Sequence, residues 1–541
     1  MTKTIARLLL LGGLFSSFLQ GPAPYDLLIR NGRVVDGTGA PWYRADVGVR
    51  GGKIAAIGRL RDAQAARAID AAGMVVAPGF IDMMGQTVAP FLKDRDAGLN
   101  LLTQGITTIN CGEGGSDAPL GEEAARQAGW RTMREFFARV EARGIPLNMV
   151  QTVGHTQIRA LVIGREDKRA TPEQLERMKA LVREAMEAGA IGLSTSLIYP
   201  PAIYAPEEEI LELAKVAGES GGRYYTHMRN EGDQLLEAID EALRIGKGAG
   251  TPVHIYHLKT AGRGNWGKMD LAIARIRAAR AAGQEVGADV YPYVNNGLGI
   301  RAMIHPRHSA KGPEDLLRRL DDPQARAEMR REMETGTGWE NWFGHVGHDW
   351  DRVILGRIQD PAYARYNGKS LGEIARAAGK DPWDVFFAIA RAGAFAMPQS
   401  MSEANKIKAM RQDFVSFDTD AGPAGGSGIA SHPRAWGAFP RVLARYVREL
   451  GALTLEEAVH RMTAVAANEV MAYDRGRLAV GQAADVVIFD PAAVRDRATF
   501  GEPDLPSEGM PYVIVNGVTV LEQSKYTGAT PGRVLRGPGF R

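Results

Sequence analysis

A single cysteine, Cys111, among 541 residues excludes any disulfide within the chain. Net charge is almost absent as well: 66 Lys and Arg against 63 Asp and Glu leave +3. There is no Lys/Arg-rich run and no alternation of aromatic with basic residues, which excludes nucleic acid as a partner and favours small-molecule chemistry. Beyond the N-terminal segment the chain lacks any apolar run long enough to cross a bilayer. What remains is an ordinary globular composition, 45% hydrophobic and 24% charged. The length suits one large domain with a smaller companion.

The N-terminus reads "MTKTIARLLLLGGLFSSFLQGPAPYD", in which Lys3 and Arg7 precede an apolar run from Leu8 to Leu19 and small and turn residues follow. That is the layout of a secretory signal over residues 1–23, with an uncleaved anchor as the alternative. The expected location is the periplasm or the outside of the cell, with no stable membrane span after processing.

Residues 24–77 read as short strands, since alternating Leu, Ile and Val are broken by Asn-Gly and Gly-Gly turns. Residues 474–541 repeat the style in "GQAADVVIFDP" and "PYVIVNGVTVLEQ". A small β-sandwich built from both chain ends is predicted. Between its halves, residues 78–473 alternate apolar strands with amphipathic helices. One helix carries full start signals: Thr171 as N-cap, Pro172 at the first helical position and Gln174 completing a capping box. Strands are predicted at 79–83, 106–111, 147–152, 190–195, 223–227, 252–257, 286–291 and 413–419. Eight strands in such alternation give an α/β fold of the (β/α)8 TIM-like barrel type. Residues 300–356, rich in charge and Trp, read as an insertion between strands seven and eight that serves as a lid or pocket wall.

In such a barrel the chemistry gathers at the C-terminal ends of the strands. His227 ends strand five, His257 and Lys259 end strand six, Asp289 and Tyr291 end strand seven, and Asp418 and Asp420 end strand eight. Each has an ordinary structural alternative, because a lone His is often a hydrogen-bonded core residue and an Asp after a strand is often a turn-former. Together, histidines and a carboxylate at neighbouring strand ends supply the ligand types that Zn²⁺ prefers.

The blocks "PGFID", "QGITT", "GHTQIRALVIG", "GLSTSLIYPP", "YYTHMRNEGD", "YHLKTAGRGNWGK", "DVYPY", "SFDTDA", "HPRAWGAFPRVLARYVRE" and "TGATPGRVLRGPG", in this order, resemble the N-acyl-D-amino-acid deacylases, the D-aminoacylase branch of the metal-dependent amidohydrolase superfamily. The resemblance covers nearly everything after the signal segment. It implies a barrel with a β-sandwich, metal-binding histidines at His227 and His257, and a catalytic aspartate at Asp420. It also implies contacts to a substrate carboxylate from Lys259, Tyr291 and Arg434. Asp418 matches no ligand of the family and reads as a turn carboxylate, and His155 and His254 receive no ligand role, His254 reading as a satisfied barrel residue.

Two departures stand out. In "PGFIDMMGQT" the family's two strand-one histidines are replaced by Met84 and Gln86, neither a good zinc ligand. The metal cysteine expected after strand two aligns with Gly114, leaving Glu113 beside it and Cys111 three residues before it as candidates. Glu113 is preferred, since flanking glycines let its backbone approach the site and a carboxylate binds zinc; Cys111 on the strand reads as core. The resemblance assigns the strand-one pair to the weaker of two metal positions, so one Zn²⁺ per chain on Glu113, His227 and His257 is expected. The expected reaction is hydrolysis of an amide in an N-acyl-D-amino acid or related peptide with a free carboxylate, by zinc-activated water with Asp420 as general base and acid. A dipeptidase or other amide hydrolase is the nearest alternative, and a peptide-binding protein without catalysis the alternative of another class. The acyl group and the oligomeric state are left open.

Overall fold

The computed structural model describes residues 25–425 and 430–541, and the segment read as a secretory signal lies outside them. All eight expected barrel strands are present: Phe80–Gln86, Ile106–Cys111, Asn148–Gln151 continued by Val153–Gly154, Gly192–Ser196, Arg223–His227, Val253–Ile255, Val286–Val290 and Val415–Phe417. Adjacent strands pair in parallel. The ring closes where Thr419, just past strand eight, donates its backbone N–H (2.9 Å) and hydroxyl (2.6 Å) to Asp82 of strand one. Burial pushes the Asp82 carboxyl up to about 7, with the Thr419 bonds opposing. Strands four, five and seven are buried along their whole length, as a parallel sheet covered on both faces requires.

The helix predicted from its start signals spans Pro172–Ala188. Gln174 N–H donates to Thr171 Oγ1 at 3.2 Å and Thr171 N–H donates to Gln174 Oε1 at 2.9 Å, so the capping box forms as read. Its buried face is Met178, Val182, Ala185 and Met186, at the helical spacing that packs one side onto the strands.

The two chain ends meet where Val75–Pro78 pairs antiparallel with Val486–Phe489. From that seam one sheet continues through the N-terminal strands on one side and through Tyr512–Val515 and Val518–Glu522 on the other. Leu27, Ile29, Val47, Val49, Val486, Ile488 and Ile514 form its core. The last residues leave this domain. Met149 N–H donates to Arg533 O (2.9 Å) and Leu535 N–H to Met149 O (2.8 Å), so the tail is stitched to barrel strand three instead of to the sandwich.

The insertion is longer than the 300–356 predicted. Leu298–Gly299 and Val353–Gly356 both pair antiparallel with Phe395–Pro398, making a three-stranded sheet of which the last strand lies well beyond the expected boundary. A hydrophobic core of its own, including Trp342, Phe343, Trp350, Trp383 and Phe386, extends to Ala396. The helices Leu371–Ala378 and Pro382–Ala392 belong to the insertion yet have the same amphipathic pattern as barrel helices, so the sequence does not mark this boundary. No described helix is long and apolar enough to cross a membrane.

Candidate metal centre

Strand two alternates, and its inward parity is set by Asn110, whose amide donates to Tyr256 Oη across the barrel at 3.2 Å. Alternation then turns Cys111 away from the axis, into the core that contains Phe136, Phe137 and Val140. Burial pushes its thiol well above the usual range, with Asp117 and Asp82 adding to the effect, which keeps it a neutral packing residue. Two residues later the chain turns back over the strand ends. Gly112 and Gly114 both have positive φ (97° and 70°), and a Cβ on Gly114 would lie 2.7 Å from the Ser196 backbone N. Only glycine permits this turn, and the turn delivers Glu113 to the mouth.

There Glu113 Oε1 lies 2.6 Å from His227 Nδ1 and 3.3 Å from His257 Nε2. The two imidazoles stand 4.4 Å apart at an interplanar angle of 86°. Among the described residues these three form the group whose potential ligand atoms all fall within 4.8 Å of one another, and Cys111 is not part of it. Burial would raise the Glu113 carboxyl, but the two histidines outweigh it and hold the group well below the ordinary range. Two imidazole nitrogens and a carboxylate oxygen converging on one point fit a zinc ion.

A fourth residue backs this set. Glu231, singled out by no spacing signal although it lies in "THMRNEGD", places Oε1 3.0 Å from His257 Nδ1 and Oε2 3.6 Å from His227 Nε2. One carboxylate thus stands behind both rings on the sides away from Glu113, where the orienting partners of metal-bound histidines sit. Burial works against its charge, yet His227, Lys259 and His257 keep it ionised far into acid. Lys259 Nζ donates to Glu231 Oε1 at 2.6 Å; a residue expected to hold a substrate carboxylate is therefore already paired with a protein one.

The backbone beneath is also held. His257 has φ 37°, unusual for a side-chain-bearing residue, and its N–H donates to Asp289 Oδ1. Asp289 Oδ2 lies 2.8 Å from His254 Nε2, whose Nδ1 lies 2.9 Å from Glu469 Oε2. Burial would lower His254, but the two carboxylates raise it to about 9, so it is a charged, fully partnered barrel residue. Asp418, read from the sequence as a turn carboxylate without a ligand role, is fully buried beside Asp289 just past strand eight. Burial, with Asp289 beside it, pushes its carboxyl well above the ordinary range.

Asp420, at φ 45°, closes the opposite wall. Its Oδ2 lies 2.7 Å from Arg434 Nη1, and its Oδ1 accepts from Gln86 Nε2 at 3.2 Å. Burial raises its carboxyl and Arg434 opposes, with a net upward shift. Arg434, expected as a substrate clamp, is thus paired with Asp420, but its Nε has no hydrogen-bond partner among the described residues. Its guanidinium carbon sits 4.7 Å from the centre of the Tyr291 ring. Lys406, missed in the sequence, lies 4.0 Å from the same centre, and burial together with Lys259 lowers its pKa to about 7.

Glu113, His227, His257, Lys259, Tyr291 and Asp420 all line one cavity of about 20 Å³, room for one water or ion. Leu298 and Trp342 of the insertion complete its wall, and Glu340 of the insertion accepts from Glu231 N–H at 2.9 Å. Glu113, Asp420 and Tyr199 also border an adjoining cleft of about 450 Å³, which contains Gln86, Arg357, Phe395 and Arg434. That volume suits a small-molecule substrate.

Residues 67–521 match the family described as Amidohydrolase family. The chain is 37% identical over 528 residues to the N-acyl-D-glutamate deacylase of Alcaligenes xylosoxydans xylosoxydans, covering 94% of this chain and 96% of that relative. Among solved structures it is similar to a D-aminoacylase, studied for its binuclear metal centre with one-metal activation and second-metal attenuation. The TM-score is 0.79 at 34% identity, covering 95% of this chain and 100% of the other. An N-acyl-D-glutamate deacylase from Bordetella bronchiseptica, complexed with zinc and a phosphonate inhibitor that mimics the tetrahedral intermediate, gives the same TM-score of 0.79 at 34% identity, over 95% of this chain and 99% of that one.

Proposed function

The chain belongs to the amidohydrolase family, in the branch of the N-acyl-D-amino-acid deacylases, and from that premise we propose that it removes the acyl group from an N-acyl-D-amino acid or a related D-amino-acid-containing peptide. The observation that carries this reading is the convergence of Glu113, His227 and His257 on one small cavity with Asp420 in its wall. Those three residues would hold the metal. A zinc ion there supplies Lewis acidity, which polarises an acyl carbonyl and lowers the pKa of water to about 7.

The chain's own groups do the rest. Asp420 takes the proton of the attacking water and returns it to the departing amine nitrogen, leaving a carboxylic acid and a free D-amino acid. Glu231 acts behind His257 as a positioning residue, holding its Nδ1 so that Nε2 faces the cavity, while its other oxygen adds negative charge 3.6 Å behind His227. Arg434, with its spare Nε and the Tyr291 ring 4.7 Å away, is the residue best placed to bind a substrate carboxylate, while Lys259 is held by Glu231. The insertion residues Leu298 and Trp342 keep bulk water from the reacting bond. The N-terminal pattern of Lys3, Arg7 and the apolar run after them supports a periplasmic location.

A panel of N-acetyl-D-amino acids, their L enantiomers and simple dipeptides tests the substrate class. Turnover of D substrates with little or none of the L series is expected. Turnover confined to L substrates would refute the stereochemical assignment, and turnover confined to dipeptides would transfer the protein to the dipeptidase reading.

A further inference from the structure

Glu113 and Asp420 turn carboxylate oxygens toward a common point, and two buried anions so placed need a cation or N–H donors between them. The donors come from strand one. Gln86 Nε2 donates to Glu113 Oε2 at 3.0 Å and to Asp420 Oδ1 at 3.2 Å. A primary amide nitrogen carries two N–H groups, so both are spent, one on each carboxylate. The other oxygens face away from this point: Glu113 Oε1 faces the histidines, and Asp420 Oδ2 pairs with Arg434.

Gln86 is held in this position by its backbone. Its φ is 62° at the end of strand one, and its carbonyl accepts from Gly112 N–H at 2.8 Å, which ties it to the turn that carries Glu113. Met84 is fully buried in the barrel core with Ile81, Tyr225 and Tyr256. Strand one therefore offers an amide here and no imidazole. A second cation between Glu113 and Asp420 does not fit this donor set: it would meet N–H groups already pointing at both carboxylates, with the Arg434 guanidinium next to one of them.

We propose that Gln86 is a built-in substitute for a second metal ion, an amide cross-link between Glu113 and Asp420 that limits the centre to one metal and frees the enzyme from attenuation by excess metal. The proposal rests on the metal-hydrolase reading above. It sets this chain apart from the D-aminoacylase studied for second-metal attenuation.

The test counts zinc by elemental analysis in the full-length enzyme equilibrated with increasing Zn²⁺, with turnover followed on the same samples. Wild type should saturate at one zinc per chain, with turnover flat in excess metal. Gln86→Glu, which adds a third carboxylate, and the double variant Met84→His with Gln86→His should take up a second zinc, and turnover should then fall as that second equivalent binds. Two zinc ions in wild type would overturn this inference and leave the hydrolase reading intact. So would both variants, folded by circular dichroism, remaining at one zinc. No zinc in active wild type would overturn the metal-hydrolase reading and this inference with it.

Discussion

Asp420→Asn lowers kcat by about 10²- to 10⁴-fold, the usual worth of a positioned proton carrier, while the zinc content stays that of wild type. The amide keeps the shape of the side chain and can still accept from Gln86, but it cannot take a proton from water. Because burial raises the Asp420 carboxyl and Arg434 only partly opposes, the group ionises above its ordinary value of 3.8. A base must be ionised to act, so in wild type kcat/KM climbs with pH through this raised value, and the variant loses that limb. The substitution also leaves Arg434 buried without its anionic partner, so a lower Tm accompanies the kinetic effect. Rates are therefore compared per folded chain, and a variant within threefold or so of wild type, far below the range for proton transfer, would remove Asp420 from the chemistry.

His227→Ala and His257→Ala each abolish zinc retention and with it essentially all hydrolysis, a loss of about 10³-fold or more given the several kcal/mol a Lewis acid contributes. The two variants differ in their structural side effects. His227 ends a regular strand, whereas His257 sits at φ 37° with its N–H held by Asp289. Alanine at the second position keeps that strained backbone and the barrel should survive, because the Asp289–His254–Glu469 chain beneath it is untouched. Dialysis of the purified variants against a trace of zinc, followed by metal analysis and a melting curve, separates loss of metal from loss of fold. Retention of a full equivalent of zinc by either variant would exclude that histidine as a ligand. For wild type, removal of zinc with a chelator should lower Tm, since the ion binds only the folded chain.

The barrel was legible because each strand is a short apolar run bounded by polar or Gly-containing turns, and the helix Pro172–Ala188 announced itself through its capping box. The insertion boundary was not. Phe395–Pro398 finds its partner in Val353–Gly356, across two helices, and nothing local in "FAMP" specifies that pairing. At the site, the strand-end histidines and Asp420 were readable from their place in the alternation together with the family resemblance. The preference for Glu113 over Cys111 was legible from the glycines that flank Glu113, whereas the strand parity that turns Cys111 into the core depends on Asn110 reaching Tyr256 across the barrel. Glu231 and Gln86 are of a different kind. Glu231 reaches His257 and Lys259 at the end of the next strand, and Gln86 joins Glu113 to Asp420; convergence of that sort has no spacing in the chain to reveal it. Met84 and Gln86, which in sequence look like damage to a metal site, divide into a core residue and a working hydrogen-bond donor.

The central claim is that zinc sits on Glu113, His227 and His257. X-ray absorption at the zinc edge of the purified protein tests it most directly, because Zn–S and Zn–N/O distances are well separated. The account predicts a shell of nitrogen and oxygen at about 2.0–2.2 Å with imidazole scattering from two rings and no sulfur. A sulfur scatterer at about 2.3 Å would place the metal on Cys111 and contradict it.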